Sequence, residues 1–169
     1  VIRRQVLDEF LHPEYGCYGE GRRILDVGCG LGWLAVTLKK CGCDKNYFGI
    51  DLSARMISEA KRLHPDLRFE MKDIMADAIE PHDIVICNGI FYLLQWQPYT
   101  YMFRLIRKAY SLAREAVAFN CLNGQYASKN GEFWARPDLV LAFAMVLCPK
   151  VVLRADYLPQ DFTLFLYKT

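Results

Sequence analysis

Three acids at the ends of apolar runs, each followed by small or turn-forming residues, are the part of this chain whose types and spacing suit chemistry. The first is Asp26, which closes the run Ile24-Leu25 and opens Asp26-Val27-Gly28-Cys29-Gly30-Leu31-Gly32. The second is Asp51, at the end of Tyr47-Phe48-Gly49-Ile50, and the third is Asp73, two residues beyond Met71. A carboxylate has only acceptor sites, so it can take two vicinal hydroxyls in one bidentate contact. Alternate glycines let a ligand lie against bare backbone, and a helix that starts just after them offers unpaired N–H groups to an anionic group. Together these residues suit a ligand that carries vicinal hydroxyls and a carboxylate or another anionic group.

Such residues need rigid elements behind them. The branched apolar run before Asp26, the glycines and the amphipathic segment 33–40 have the pattern of a buried strand, a tight turn and a helix. Residues 46–51 read as a second strand, and Asp51 falls 21 residues beyond Gly30, close to the offset at which nucleotide-binding folds place an acid on ribose hydroxyls. Ser53 is placed to cap a helix with Met56, Ile57, Ala60 and Leu63 on one stripe, ended by Pro65. Further strands are expected at 67–71, 82–88 and 116–121, a helix at 102–113, a loop without elements at 122–136, and an apolar helix opened by Pro137. Runs 151–155 and 162–167 are joined closely enough to be an antiparallel hairpin. Ahead of all this, 1–11 has helical spacing, and the following stretch carries His12, Tyr15 and Tyr18.

The glycine spacing separates two ligand classes. A dinucleotide fingerprint places glycine at its first, third and sixth positions, the last for close helix–strand packing. Those positions here hold Gly28, Gly30 and Trp33, and an indole does not fit that contact.

The pattern Asp-x-Gly-x-Gly-x-Gly, with Gly49-Ile50-Asp51-Leu52-Ser53 and the acid Asp73 in register behind it, resembles the class I S-adenosylmethionine (SAM)-dependent methyltransferases, and the small stand-alone bacterial members in particular. The resemblance runs from about Arg22 to the end. It implies an α/β fold, a three-layer αβα sandwich around a seven-stranded, mostly parallel sheet of order 3-2-1-4-5-7-6 with an antiparallel last strand. It also implies one domain over 1–169, with 1–21 as an N-terminal helix and lid and 22–169 as the Rossmann-like core. The cofactor-binding residues it indicates are Asp26, Gly28, Cys29, Gly30, Gly32 and Trp33 of the first signature, then Asp51, Leu52 and Met56, then Asp73 and Ile74, and finally Asn88 and Gly89 after the fourth strand. The cofactor is SAM, leaving as S-adenosylhomocysteine (SAH).

The acceptor is less defined. Tyr15, Tyr18, Tyr92, Tyr126 and Trp134 fall in the segments that would build its pocket, and aromatics suit a small, partly apolar molecule. No general base is identified; His12 and Tyr92 are the candidates for catalysis. The residues after strand four are Asn88-Gly89-Ile90-Phe91 rather than Asn-Pro-Pro-Tyr, which disfavours exocyclic amines of bases. A small-molecule acceptor is the leading expectation. An RNA or protein methyltransferase is the rival if Arg104, Arg107 and Arg114 gather at the pocket mouth, and a catalytically silent SAM-binding module is the reading from a different class.

Composition sets the frame. The chain of 169 residues, 53% apolar, is about one domain and can bury a proper core. A net charge of +2 is too mild to name a polyanionic partner. Seven cysteines without a CxxC pair, and three histidines, argue for reduced buried thiols in a cytoplasmic setting and against a metal site. The N-terminus lacks a signal-type apolar core, and the longest apolar run, 139–148, falls well short of the about 20 residues that a bilayer requires, so no membrane partner is expected.

Overall fold

The computed structural model describes residues 21–40, 42–126 and 131–168. Short runs of buried branched side chains pair into one seven-stranded sheet, ordered β3-β2-β1-β4-β5-β7-β6. Strands β1 (Ile24–Val27), β2 (Tyr47–Asp51), β3 (Arg68–Met71), β4 (His82–Cys87) and β5 (Ala113–Leu122) are parallel. Strand β7 (Asp161–Tyr167) runs antiparallel to both its neighbours, β5 and β6 (Lys150–Arg154). This is the strand order, with the reversed β7, that the resemblance implies.

Successive residues on a strand face opposite sides of a sheet, and the core divides accordingly. Leu25, Val85 and Val117 pack with Met102, Ile106 and Ala109 of α3 (Pro98–Leu112) and with Val140 and Ala144 of α4 (Pro137–Leu147). Ile24, Ile84, Ile86 and Ala116 pack on the other side with Leu34, Ala35 and Leu38 of α1 (Trp33–Lys40) and Ile57 and Ala60 of α2 (Ala54–Leu63). Helices on both faces make the three layers, and leave the ends of the parallel strands as the open rim.

Local chemistry ends the elements where the site needs them. Helix α1 stops at Gly42, whose φ of 70° is the left-handed conformation, with Gly42 N–H donating to Lys39 C=O at 3.1 Å and Cys43 N–H to Leu38 C=O at 2.9 Å. Ser53 Oγ accepts from Met56 N–H at 3.3 Å and starts α2 beside Asp51.

Several expectations are corrected. Helix α3 begins at Pro98 rather than 102, because proline suits a first helical turn, and β5 begins at Ala113 rather than 116. The stretch 122–136 is not without structure: Gly124–Tyr126 is a 3-10 turn, and Ala135 N–H donates to Leu122 C=O (2.8 Å) while Gly124 N–H donates to Ala135 C=O (2.7 Å), which closes the loop on itself. Cys29, Cys87, Cys121 and Cys148 are free buried thiols, but Cys43 is disulfide-bonded, so the all-reduced reading does not hold there. The expected helix at 1–11 and lid over 1–21 fall almost wholly outside the described residues. Among the described residues, no helix is long and apolar enough to cross a membrane, and no group of three or more His, Cys, Asp or Glu side chains could hold a metal ion.

Candidate functional site

The turn after β1 is stitched to β2: Gly28 N–H and Cys29 N–H both donate to Ile50 C=O, at 2.8 and 3.0 Å. Its glycines do different work. A Cβ at Gly28 would lie 2.2 Å from Ile90 Cγ2, and one at Gly32 would lie 2.7 Å from Phe69 Cζ, so both serve close packing within the protein. A Cβ at Gly30 would meet nothing within 4 Å. Of these three glycines of the turn, Gly30 is the one whose missing side chain leaves open space among the described residues.

Asp26, Asp51 and Asp73 line one cleft of about 800 Å³ at the carboxyl ends of the parallel strands. Asp26 is 2% exposed and accepts the Tyr47 hydroxyl at 2.7 Å; burial first, and Asp26 second, push the Tyr47 phenol well above its usual range. Asp51 Oδ2 accepts from Gly30 N–H at 2.9 Å and Oδ1 from Ser53 N–H at 2.8 Å, so this one side chain ties the glycine turn to the cap of α2. Asp73 Oδ1 accepts from Met75 N–H at 2.8 Å, and Asp73 N–H donates to Asp77 Oδ2 at 2.8 Å. The neighbouring Cys29 thiol is raised by burial and by the charges of Asp26 and Asp51, so it stays protonated.

The opposite wall comes from the ends of β4 and β5. Among the described residues, Asn88 Oδ1 is buried with no hydrogen-bond partner. Gly89 has φ 68°, a Cβ there would meet nothing within 4 Å, and its N–H donates to Asn120 Oδ1 at 2.6 Å. Asn120 Nδ2 in turn donates to both oxygens of Asp161 at 3.3 Å. Ile90, Phe91, Tyr92, Leu93 and Leu94 continue this wall, and Tyr101 and Leu105 of α3 close it from the side. Burial first, then the Asp73 charge, raises the Tyr101 phenol.

Of the residues expected at the cofactor, Asp26, Gly28, Cys29, Gly30, Trp33, Asp51, Leu52, Met56, Asp73, Ile74, Asn88 and Gly89 line this cleft, and Gly32 does not. Gly32 lies beneath the turn, against Phe69 and His64. Tyr92 lines the cleft, whereas Tyr126 and Trp134 do not: Tyr126 is half exposed on its 3-10 turn, and the Trp134 indole N–H is buried without a partner among the described residues. His12, Tyr15 and Tyr18 lie outside the described residues. His82 sits at the far end of β4, its Nδ1 2.7 Å from Glu80 C=O. Sequence reasoning missed Lys72, Tyr101 and Asn120. Lys72 adjoins Asp73 and was visible; Asn120 carries no motif, and only strand pairing brings it to the rim.

A parallel sheet with its cleft at the carboxyl ends of β1 and β4, an acid closing β2, and bare backbone at Gly30 and Gly89 define a nucleoside-binding α/β protein of the methyltransferase type. The methyltransferase domain family matches residues 24–116, just over half of the chain. The chain belongs to that family, within the class I SAM-dependent methyltransferases. It is similar to the ribosomal protein L11 methyltransferase of Dictyoglomus turgidum (37% identical over 75 residues, 42% of this chain and 25% of that protein) and to the malonyl-[acyl-carrier protein] O-methyltransferase of Halalkalibacterium halodurans (32% over 100 residues, 54% and 35%). The chain thus spans about a quarter to a third of the length of these curated relatives. Its fold matches that of magnesium protoporphyrin IX methyltransferase from Synechocystis crystallised with SAH, with a TM-score of 0.77 at 15% identity, covering 99% of this chain and 82% of that one. A TehB-like SAM-dependent methyltransferase from Corynebacterium glutamicum gives a TM-score of 0.67 at 18% identity, covering 99% and 87%.

Proposed function

We propose that the chain is a SAM-dependent methyltransferase that passes the methyl group to an oxygen, nitrogen or carbon atom of a small molecule. The observation that carries this reading is the convergence of Asp51, the open space above Gly30 and Gly89, and the unpartnered Asn88 Oδ1 in one cleft. Asp51 keeps lone pairs for two ribose hydroxyls while its backbone donors hold it still. Asp73 and the Ile74 backbone face the adenine, Leu52, Met56 and Trp33 flank the adenosyl group, and the turn 28–30 with Asn88 and Gly89 takes the amino-acid end.

Bound SAM supplies a methyl group on a positively charged sulfur. The chain's own contribution is placement: holding two reactants in line can be worth roughly 7 to 11 kcal/mol. Tyr92, Leu93 and Leu94 wall the space beyond Asn88, and a neutral, apolar wall suits a small acceptor. The polyanion alternative loses support because Arg104, Arg107 and Arg114 are absent from the cleft lining. Arg114 pairs with Asp83 at the opposite end of β4, and Arg107 lies 5.9 Å over the Phe143 ring.

Calorimetric titration with SAH tests the cofactor half of this reading, and methyl transfer from labelled SAM to a panel of small hydroxy, carboxy and amino acceptors tests the rest. Absence of SAH binding overturns it, and binding without turnover of any acceptor favours a silent module instead.

A further inference from the structure

The turn that follows β4 is held from outside the cleft. Asp161 is the first residue of β7, and because β7 is antiparallel, its start lies at the rim where β4 and β5 end: Asp161 stands opposite Leu122 of β5, and Thr163 opposite Asn120. The carboxylate is 1% exposed. A carboxylate that deep is unfavourable unless donors face it, and the donors are the Asn120 amide and the Phe162 backbone N–H.

An ionised carboxylate can only accept, so it dictates which end of the Asn120 amide it meets. Nδ2 must turn to Asp161, which leaves Oδ1 for Gly89 N–H at 2.6 Å. That contact orients the Asn88–Gly89 peptide. The peptide is trans, so its C=O points away from its N–H. Strand β4 stands between β1 and β5; with Gly89 N–H directed at β5, the Asn88 C=O is directed at β1 and its glycine turn, where Gly30 leaves room. A carbonyl oxygen there suits an ammonium donor.

We propose that Asp161 is a positioning residue for the amino-acid end of the cofactor, acting through Asn120 on the Asn88–Gly89 peptide; this rests on the cofactor reading above. The titratable groups that face Asp161 are Tyr157, whose hydroxyl lies 2.6 Å from Thr163 Oγ1, and Cys121 of β5, with Cys87 of β4 behind Cys121 and Asp156 beyond Tyr157. Burial raises the Tyr157 phenol and the Cys121 thiol, so both are neutral at physiological pH. Burial also pushes Asp161 up to about 6. Below that pH, Asp161 carries an O–H donor beside an acceptor oxygen, so it no longer dictates which end of the Asn120 amide it meets, and in the turned-over orientation the amide NH₂ faces Gly89 N–H. The relay is lost.

The test is calorimetry with SAH and with 5′-methylthioadenosine, which lacks the amino-acid end, on the wild-type chain, Asp161→Asn, and the double variant Asn120→Asp with Asp161→Asn. Wild type binds SAH several-fold more tightly at about pH 7.5 than at about pH 5. Asp161→Asn, whose amide can meet either end of the Asn120 amide and so no longer dictates its orientation, binds SAH several-fold more weakly at the higher pH and shows no such pH dependence. The double variant recovers to within about threefold of wild type, because its new carboxylate accepts from Gly89 N–H while its new amide donates to that carboxylate. All three bind methylthioadenosine alike. Wild-type SAH affinity and pH dependence in Asp161→Asn, or equal loss of both ligands, overturns the proposal. Absence of SAH binding by the wild type would instead remove the cofactor reading on which it rests.

Discussion

The two walls of the cleft are built on different principles. Along β2–β3, the cleft-lining acids are held by backbone N–H groups: Asp51 by Ser53 and Gly30, and Asp73 by Met75. Along β4–β5, the Gly89 amide is held by a side chain 31 residues away, which is itself held by another 41 residues further on. The first wall rests largely on contacts two residues apart at strand ends, with Gly30 as the longer link, 21 residues from Asp51. The second exists only once distant strands have paired, so it can be altered from a position that touches no ligand.

The sharpest contrast is among the glycines. Gly30→Val places a branched side chain in the cleft rather than in the protein, and SAH affinity is expected to fall by more than about 100-fold, the loss of roughly 3 kcal/mol of contact. Measured by calorimetry, an unchanged affinity would take the cofactor out of the space above Gly30. Next comes Asp51→Ala. It removes a bidentate acceptor for hydroxyls and strips two backbone N–H groups of their partner, so an affinity loss of about 10- to 100-fold is expected together with about 1 to 2 kcal/mol of stability. Chemical denaturation alongside calorimetry separates the two effects.

Those two positions were legible in the sequence, and the reason is physical. A strand that ends in an acid and a turn that needs bare backbone leave a local record, so β1, β2 and the three rim acids follow from motif spacing, while the sheet order comes from the family resemblance that those motifs carry. The division of labour among Gly28, Gly30 and Gly32 does not, because it depends on Ile90 arriving from the turn after β4 and Phe69 from β3. Asn120 and Asp161 read as ordinary strand residues until β5 and β7 pair. Tyr126 and Trp134 stand apart from the cleft lining for a related reason: Leu122 and Gly124 pair with Ala135, a contact that no local pattern announces.

The long-range wall has a stability cost that the local one lacks. Asp161 titrates at about 6 in the fold against an ordinary value of 3.8. A raised carboxyl favours the folded state while it is protonated, so this stabilisation is full below about 3.8 and is lost as pH rises through about 6. At about pH 7.5 the ionised group therefore opposes folding, and Asp161→Asn is expected to stabilise the chain by about 2 kcal/mol, an effect that shrinks toward pH 4. Thermal melts across that range check it. A variant that melts higher while binding SAH less tightly would show that the carboxylate is retained for placement rather than for the fold.

The smallest expected effect tests where the cofactor ends. Tyr92 stands on the second wall beyond Asn88, 38% exposed, and its backbone C=O accepts from Phe133 N–H at 3.0 Å, a contact that substitution of the side chain leaves in place. If SAM fills the cleft from Asp73 to Asn88, the Tyr92 ring faces the acceptor and not the cofactor. Tyr92→Ala should then change SAH affinity by less than about threefold, below 1 kcal/mol, while raising the acceptor KM. The hydroxyl-deletion variant Tyr92→Phe divides the roles further: a fall in kcat with KM retained would make the phenol part of the chemistry, whereas an unchanged kcat would leave the ring as a wall. A large loss of SAH affinity in Tyr92→Ala would move the boundary between the two walls, because the ring would then belong to the cofactor's half.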